Sequence, residues 1–249
     1  MAGSLDGRRI AITGASSGIG AACAAAFARE GAAVALGARR EDRLEELRER
    51  IESDGGRAVA LRADVGDEES AHAFVRGAHE QLGGLDGLIN NAGVMLLGPV
   101  EGADTEHWRR MVDVNVLGLL YCTQAALPLM REGDGGDIVN ISSVAGRQAN
   151  PGSAVYNLTK WGVVGFSEAL RKEVQGSGIR VSCVEPGFVE TELQGHNDPP
   201  IREAIEGMRE QIGDILTAED LADAILYVIA RPPHVAINEV LIRPAGQSR

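Results

Sequence analysis

Short apolar runs alternate with amphipathic segments along almost the whole chain, and this alternation limits the possible folds more than any other feature. The apolar runs predict strands at 9–13, 33–38, 58–61, 87–90, 137–141, 180–184 and 239–242. Strands that alternate with helices at this spacing run parallel in one sheet, because each helix returns the chain to the edge where the previous strand began. The runs are apolar on both faces, as expected when helices cover both sides of a sheet. We therefore predict a doubly wound α/β fold with a seven-stranded parallel sheet.

The segments between these strands have helical periodicity and predict helices at 21–30, 41–53, 68–82, about 105–131, 153–174, 201–211 and 216–230. The last of these has Thr217 as its N-cap, with Glu219 and Asp220 in its first turn. A chain of 249 residues is long enough to bury one full core. No linker or internal repeat interrupts the alternation, so we expect a single domain over residues 1–249.

A glycine-rich turn, TGASSGIG, follows the first predicted strand and opens the first helix. Glycine lets the backbone turn tightly and approach a pyrophosphate, whose charge is held by amides at the helix N-terminus. A simple turn without a ligand is the alternative, but the strand–turn–helix context favours a dinucleotide site and a Rossmann-type fold. The residues expected to contact the cofactor here are Gly14, Ser16, Ser17, Gly18, Ile19 and Gly20.

The end of the second strand distinguishes the two nicotinamide cofactors. Chains that bind NAD usually have an acidic residue about 20 residues further on, where it bonds the ribose 2′-hydroxyl. This chain has Ala38 there, followed by Arg39 and Arg40, and guanidinium groups suit a 2′-phosphate. We predict NADP(H), with Arg39 as the main contact. Under the alternative, both arginines only pair with acidic residues of the next helix, namely Glu41, Asp42 and Glu45.

Tyr156 and Lys160 are four residues apart in a predicted helix, so their side chains project from one face. A free phenol has a pKa of ~10, and acid/base catalysis near neutrality needs a value about 3 units lower. An ammonium ~4 Å away supplies ~4 kcal/mol at an effective dielectric of ~20, which covers that shift. Lys160 is the only charged residue between Gly152 and Ser167, whereas a solvated helix face would have several. We therefore predict an activated acid/base pair, with Ser143 holding the reacting oxygen.

Ser143, Tyr156 and Lys160, with the serine thirteen residues before the tyrosine and the lysine four after it, resemble the active site of the short-chain dehydrogenase/reductase family. Further motifs of that family follow strand ends along nearly the whole chain: Asp64-Val65, the NNAG run that ends at Gly93, and Pro186-Gly187 with Thr191. The resemblance implies a cofactor site that also includes Asp64, Val65, Asn91, Ala92, Gly93, Tyr156, Lys160, Pro186, Gly187, Val189 and Thr191. The stretches NNAGVMLLGPVEGAD and PPHVAINEVLIRP are similar to the clavulanate-dehydrogenase-like and serine-3-dehydrogenase-like members, which act with NADP(H).

The resemblance implies hydride transfer between nicotinamide C4 and a carbonyl or carbinol carbon. In the reducing direction, Tyr156 donates a proton to the developing alkoxide while Ser143 hydrogen-bonds the same oxygen. Lys160 lowers the pKa of Tyr156 and holds the nicotinamide ribose. Asn115, an amide in an apolar part of the long helix, would position Lys160 and a water. A structural asparagine with satisfied hydrogen bonds is the alternative.

The substrate pocket is expected beside these groups, where the strands end. Its predicted lining consists of Met95, Ser143, Val144, Ala145, Gln148, Asn150, Tyr156 and Phe188. Segment 188–215 has the length and composition of a lid that orders over a substrate, with a rigid excursion as the alternative. The pocket has few charges, which favours a neutral, small aldehyde or ketone.

Net charge and composition limit the partners and the compartment. A net charge of −12 argues against nucleic acid and anionic membranes, because both are bound by basic surfaces. The histidines show no metal-binding spacing, and three separated cysteines in apolar contexts, Cys23, Cys122 and Cys183, predict reduced core thiols. The N-terminus lacks the apolar core of a signal peptide, and polar residues and a proline interrupt the most apolar stretch, 114–130. We therefore predict a cytoplasmic protein without a metal site, in which that stretch is a buried helix.

Together these features predict an NADP(H)-dependent oxidoreductase, a carbonyl reductase or alcohol dehydrogenase with Tyr156 as acid/base. An NAD(H)-linked hydroxy-compound dehydrogenase of the same family is one alternative. A non-catalytic dinucleotide sensor is another, although the Ser–Tyr–Lys set is complete. An epimerase or dehydratase on the same fold would need a longer C-terminal substrate region. Family members commonly form dimers or tetramers through the long helix and the Tyr–Lys helix, so a homo-oligomer is expected.

Overall fold

The computed structural model describes residues 3–247, and its centre is one sheet of seven parallel strands. The strands are β1 (Arg9–Thr13), β2 (Ala33–Ala38), β3 (Arg57–Arg62), β4 (Gly87–Asn90), β5 (Gly136–Ile141), β6 (Ile179–Pro186) and β7 (Glu239–Ile242). Their spatial order is β3-β2-β1-β4-β5-β6-β7, so the order reverses between β1 and β4. Ligands of such sheets bind at this reversal, outside the carboxyl ends of the strands. The predicted doubly wound, seven-stranded sheet is confirmed.

Helices cover both faces of the sheet. Within residues 3–247 they are α1 (Gly18–Arg29), α2 (Glu41–Ser53), α3 (Glu68–Leu82), α4 (Thr105–Val112), α5 (Gly118–Glu132), α6 (Ala154–Glu173), α7 (Pro199–Ile212) and α8 (Ala218–Ile229). One buried apolar layer joins the sheet to α1, α2 and α8, and a second joins it to α3, α5 and α6. This double covering explains why most strands are apolar throughout.

The predicted long helix is continuous over Thr105–Glu132 but changes geometry in the middle. Asp113–Leu117 form a π-helical turn between α4 and α5, in which the Gly118 amide donates to the Asp113 carbonyl oxygen. Such a turn barely alters the apolar periodicity, so the sequence indicates one uninterrupted helix. By length and composition alone the run could cross a membrane, and only 33% of its most apolar window is buried. Within 114–130, however, only Gln124 and Pro128 are exposed. The expected buried helix is therefore confirmed for the face that packs on α3 and the sheet, and the rest of the helix surface is half-buried.

Several helix and strand ends differ from the sequence prediction by one to three residues, and two of these differences have a clear local cause. Helix α7 begins at Pro199, earlier than predicted, because two prolines occupy its first positions, where the N–H groups would have no helical partner. Strand β6 continues to Pro186, because its last residues pair with β7 as far as Ile242. At α8 the predicted N-cap is confirmed, since Thr217 and Asp220 form a reciprocal capping box.

Candidate active site

The glycine-rich turn after β1 packs so tightly that side chains would not fit. A Cβ on Gly14 would lie 2.9 Å from the Ala92 Cα, and one on Gly20 would lie 2.5 Å from the Gly14 carbonyl oxygen. Gly14 has a φ of +67° and Gly18 a φ of +53°, in the region that favours glycine. Residues 14–20, which we call the glycine cradle, therefore present backbone amides at the start of α1, as a pyrophosphate requires.

Hydrogen bonds fasten the glycine cradle to the NNAG segment after β4. The Asn91 side-chain amide donates to the carbonyl oxygens of Thr13 (3.0 Å) and Gly14 (3.2 Å). The backbone amides of Asn91 and Ala92 both donate to the Thr13 hydroxyl at 3.0 Å. Asn91 therefore fixes the shape of the cradle, and Gly93 continues the chain towards the Tyr–Lys pair.

Asp64 and Val65 lie just after β3, at the same edge of the sheet. The Asp64 carboxylate accepts a hydrogen bond from the Gly66 amide (3.2 Å), and the Asp64 amide donates to the Ser70 hydroxyl (2.9 Å). Val65 is buried against the start of α5, where a Cβ on Gly118 would lie 2.8 Å from the Val65 carbonyl oxygen. These contacts fix the position of Asp64 and Val65, the residues where the family resemblance places the adenine.

Arg39 and Arg40 lie exposed at the end of β2, beside the glycine cradle. Arg39 forms no hydrogen bond or salt bridge with any residue in the range 3–247. Arg40 donates to the hydroxyls of Ser16 (2.9 Å) and Ser17 (2.8 Å) and to the Glu192 carboxylate (2.7 Å). Among the described residues, neither arginine pairs with the acids of α2. An unpaired guanidinium beside a turn that presents backbone amides fits the 2′-phosphate and pyrophosphate of NADP(H).

The Lys160 side chain lies buried where β4, β5 and α6 meet. Its Nζ donates to the Ile141 carbonyl oxygen at the end of β5 (2.9 Å) and lies 5.7 Å from the centroid of the Tyr156 ring. The Ser142 hydroxyl donates to the Lys160 carbonyl oxygen (2.9 Å), which ties α6 to the same strand end. A Cβ on Gly93 would lie 3.8 Å from the Lys160 Nζ, so the segment after β4 passes close to this ammonium.

Burial sets the ionisation of Tyr156 and Lys160. Only 7% of Tyr156 and 6% of Lys160 is exposed. Burial raises the pKa of Tyr156 to about 12, opposed by a hydrogen bond with Ser143, and it lowers the pKa of Lys160 to about 8. The prediction that Lys160 lowers the pKa of Tyr156 is wrong for the protein alone, because it left out the cost of burying a charged phenolate. Tyr156 is therefore a neutral hydroxyl at pH 7, in the form that donates a proton.

Ser143 follows β5 and reaches the Tyr156 hydroxyl. The Ser143 hydroxyl also accepts a hydrogen bond from the Ala145 amide (3.1 Å) and so caps a short 3₁₀ turn. Asn157, next to Tyr156, donates to the carbonyl oxygens of Ala145 and Gln148, both at 2.7 Å, and holds this loop on α6. Asn157 was not predicted as a site residue, although an amide beside Tyr156 on a largely apolar helix is a signal in the sequence.

Asn115 lies in the π-helical turn, and its side chain is fully hydrogen-bonded. Its Oδ1 accepts from the Val94 amide (2.8 Å), and its Nδ2 donates to the Val94 carbonyl oxygen (2.8 Å) and the Thr159 hydroxyl (3.3 Å). These bonds link the long helix to α6 and to the segment after β4, as the structural alternative expects. No hydrogen bond joins Asn115 to Lys160 within residues 3–247, so its action on Lys160 stays a prediction.

The predicted substrate-lining residues differ in exposure. Those that are buried or half-buried are Met95, Ser143, Val144, Ala145, Tyr156 and Phe188, whereas Gln148 and Asn150 are exposed. Val94, Leu96 and Met111 form a small apolar cluster with Tyr156, against which Met95 packs. The described side of the pocket next to Tyr156 is therefore mainly apolar.

The segment from Pro186 onwards returns from β6 to the glycine cradle. Gly187 has no room for a side chain, because a Cβ there would lie 2.9 Å from the Arg243 Cγ. Thr191 lies against the cradle, with its methyl group 3.1 Å from the position of a Cβ on Gly18. The resemblance expects this segment to contact the cofactor, and the fold brings it to the cradle.

The predicted lid at 188–215 consists of a 3₁₀ turn, Glu192–His196, followed by α7. Its base is held by a parallel bridge between Val189 and Leu216. The side chain of Asn197, which is buried, accepts a hydrogen bond from the Leu97 amide (2.7 Å). The segment is thus tied to the loop after β4, and whether it moves over a substrate stays a prediction.

A buried carboxylate that was not predicted from the sequence lies at the end of β6. Glu185 is 1% exposed, and the Arg147 Nε donates to both of its oxygens at 2.9 and 3.0 Å. Burial raises the pKa of Glu185, opposed by Arg147, which also pairs with Glu239 of β7. The network joins the loop after Ser143 to the two last strands. A charged residue in an otherwise apolar strand was the signal available in the sequence.

The three cysteines are buried and unpaired, as predicted. Burial raises the pKa of Cys122 to about 12, so this thiol is protonated at neutral pH. Within residues 3–247, no group of three or more His, Cys, Asp or Glu side chains could hold a metal ion. That the protein needs no metal stays a prediction.

Comparison with known proteins identifies the family. A family profile described as short chain dehydrogenase matches residues 8–201. The chain belongs to this family. The chain is 44% identical, over 98% of its length, to the glycine betaine reductase ATRR of Emericella nidulans. It spans only 19% of the length of that protein. It is 40% identical to an uncharacterized oxidoreductase of Staphylococcus saprophyticus, with 96% of each chain covered.

Solved structures show the same fold. The closed form of a serine dehydrogenase complexed with NADP+ aligns with a TM-score of 0.89 and 33% identity, covering 96% of each chain. An alcohol dehydrogenase of Thermococcus sibiricus complexed with 5-hydroxy-NADP aligns with a TM-score of 0.86 and 28% identity, covering 97% of this chain and 98% of that one. The protein is therefore an oxidoreductase of the short-chain dehydrogenase family, whose members act on CH–OH or C=O groups.

Proposed function

We propose that this short-chain dehydrogenase is an NADP(H)-dependent carbonyl reductase or alcohol dehydrogenase that acts on a small aldehyde or ketone. The observation that carries the proposal is the meeting of Ser143, a neutral Tyr156 and the Lys160 ammonium at the sheet edge next to the glycine cradle. The unpaired Arg39 supports NADP(H) over NAD(H). The NADP+ and 5-hydroxy-NADP complexes of the two similar structures support the same cofactor.

In the proposed reduction, NADPH supplies a hydride to the carbonyl carbon. Tyr156 donates its phenolic proton to the developing alkoxide, and Ser143 stabilises the same oxygen with a hydrogen bond. Lys160, which is charged below pH about 8, stabilises the phenolate that Tyr156 becomes. Its Nζ has two further N–H groups besides the one bonded to Ile141, and these suit the nicotinamide ribose hydroxyls.

The test follows NADPH absorbance at ~340 nm with a panel of carbonyl compounds. The panel contains neutral aldehydes and ketones and an aldehyde with a quaternary ammonium group, with serine tested in the oxidising direction, because two relatives are named for glycine betaine and serine. We expect turnover with at least one compound and a higher kcat/KM with NADPH than with NADH. Tight NADPH binding without turnover of any compound would favour the non-catalytic sensor.

We also propose a cytoplasmic homo-oligomer, a dimer or tetramer, without nucleic-acid or membrane partners. On α6, Leu158 is 67% exposed and Trp161 51% exposed, and the adjacent long helix has further half-buried apolar residues, such as Leu117 and Leu120. Exposed apolar surface of this kind marks an interaction site. Trp161→Glu should dissociate the oligomer in sedimentation-velocity experiments, with the exposed Met208→Glu on α7 as a control. A parent protein that sediments as a monomer would contradict the proposal.

A further inference from the structure

Arg40 binds a carboxylate of its own chain at the corner where the cofactor ribose is expected. Its Nη1 donates to the Glu192 Oε2 at 2.7 Å, and its other nitrogens donate to the Ser16 and Ser17 hydroxyls of the glycine cradle. The side chains of Arg40 and Glu192 are 43% and 50% exposed. The Glu192 carboxylate is therefore paired with Arg40, one of the two arginines that are expected to select NADP(H).

The backbone of Glu192 is held next to the glycine cradle. Thr191, immediately before it, packs its methyl group against Gly18, and the Thr191 hydroxyl accepts a hydrogen bond from the Leu193 amide (3.4 Å). Glu192 then begins the 3₁₀ turn Glu192–His196. Because the backbone is fixed on both sides, rotation of the Glu192 side chain alone suffices to release Arg40.

We infer that Glu192 affects cofactor specificity, because its carboxylate pairs with the same Arg40 guanidinium that binds the 2′-phosphate of NADP(H). The inference rests on the proposed NADP(H) preference. When the 2′-phosphate binds, it replaces the Glu192 carboxylate as the partner of Arg40. The Arg39 guanidinium, which has no partner within residues 3–247, provides a second contact. A nucleotide without a 2′-phosphate leaves the pair of Arg40 and Glu192 intact.

Charge determines the direction of this effect. A hydrogen bond from Arg40 lowers the pKa of Glu192, so the carboxylate is ionised at neutral pH. A phosphate monoester has more negative charge than a carboxylate and forms charge-assisted hydrogen bonds with guanidinium, so it displaces Glu192 from Arg40. The displaced carboxylate stays close and repels the phosphate. Glu192 therefore weakens the binding of 2′-phosphorylated nucleotides and leaves the others unaffected.

The nucleotides 2′,5′-ADP and 5′-AMP isolate this corner, because they differ only in the 2′-phosphate and lack the nicotinamide. Calorimetric titration gives their dissociation constants for the parent protein, Glu192→Gln and Glu190→Gln. Glu190 is a matched control, since it is exposed and lies two residues earlier but pairs with Arg209 at 3.3 Å. We expect Glu192→Gln to bind 2′,5′-ADP about two- to fivefold more tightly, with 5′-AMP unchanged and Glu190→Gln like the parent.

Arg40→Gln completes the cycle. In that background Glu192→Gln should no longer tighten 2′,5′-ADP binding, because the shared guanidinium is gone. The inference is overturned if Glu192→Gln leaves 2′,5′-ADP binding unchanged or weaker, if Glu190→Gln has the same effect, or if the effect persists without Arg40. A parent that binds 2′,5′-ADP no better than 5′-AMP contradicts the NADP(H) preference itself. The two failures are thereby distinguishable.

Discussion

The two ends of the proposed cofactor site are built in opposite ways. At the nicotinamide end, Tyr156 and Lys160 are 7% and 6% exposed, and Lys160 is bonded to a backbone carbonyl. At the adenosine end, Arg40 and Glu192 are 43% and 50% exposed, and Arg39 has no bonded partner in the range 3–247. Burial therefore controls ionisation at the first end, whereas charge pairs screened by solvent dominate the second.

This difference separates the chemistry from the choice of cofactor. The buried groups are held by the ends of β4 and β5 and by α6, so their geometry depends on the fold itself. The exposed charges are on surface side chains that can change without disturbing the core. We expect substitutions at the buried end to alter turnover and stability, and substitutions at the exposed end to alter nucleotide selectivity alone.

The largest effect is expected for Tyr156→Phe, which removes the proton donor and keeps the ring. Turnover should fall by about 10²–10⁴-fold, while the NADPH dissociation constant stays within about twofold of the parent, because the hydroxyl acts on the substrate oxygen. Absorbance assays and NADPH fluorescence titration measure the two quantities. Retention of a substantial fraction of the parental kcat would refute the role of Tyr156.

Lys160→Met tests the buried end through both activity and stability. Turnover should fall by about 10²-fold, because the ammonium no longer stabilises the tyrosine phenolate. The free energy of unfolding at pH 7 should rise by about 1–3 kcal/mol, because burial lowers the pKa of Lys160 from 10.5 to about 8 and keeping it charged there opposes folding. Denaturant unfolding measures the change.

The stability difference between Lys160→Met and the parent should also depend on pH. Between pH about 8 and 10.5 the unfolded parent binds more protons at Lys160 than the folded parent, so the parent gains stability with pH. The stability difference between Lys160→Met and the parent should therefore shrink across this range. In the folded protein Tyr156 and Cys183, which interacts with the Lys160 charge, have pKa values raised to about 12 and so stay protonated over this range. A variant that is less stable than the parent at every pH would contradict the buried-charge interpretation.

Arg39→Ala tests the exposed end. The preference for NADPH over NADH should fall by about 1.5–3 kcal/mol, because the 2′-phosphate loses a charge-assisted hydrogen bond. The ratio of kcat/KM for the two cofactors measures it. Equal kcat/KM with NADH and NADPH in the parent would contradict the NADP(H) preference before any substitution is made.

The last prediction concerns a pH dependence that the buried end sets and that a substitution at the exposed end should leave unchanged. The kcat/KM for NADPH should be level below pH about 8 and fall by about tenfold per pH unit above it, because Lys160 loses its proton there. Tyr156, with a pKa raised to about 12, stays protonated through this range. Arg39→Ala should show the same break near pH 8. A break at a clearly different pH in Arg39→Ala would show that the two ends are coupled.

Much of the fold can be predicted from the sequence, because the signals that mark each helix and strand lie within or next to that element. The bounds of α2, α3, β4 and β7 are those predicted, since apolar periodicity and turn residues mark both of their ends. The glycine cradle was also predictable, because the backbone positions of Gly14, Gly18 and Gly20 exclude side chains.

The remaining features depend on long-range contacts or on burial. Glu192 reaches Arg40 from 152 residues away, and Glu185 and Arg147 are 38 residues apart, so no local pattern pairs them. The π-helical turn at Asn115 leaves the apolar repeat almost unchanged. The pKa of Tyr156 was predicted in the wrong direction because its burial was unknown, and desolvation outweighs the hydrogen bond with Ser143 that lowers this pKa.

The most direct test of the separation between the two ends is kcat at saturating NADPH, measured side by side for Arg39→Ala and Tyr156→Phe. We predict that Arg39→Ala has a kcat close to that of the parent, because saturation overcomes weak binding, and that Tyr156→Phe has almost no turnover. A large loss of kcat in Arg39→Ala, or near-parental kcat in Tyr156→Phe, would contradict it.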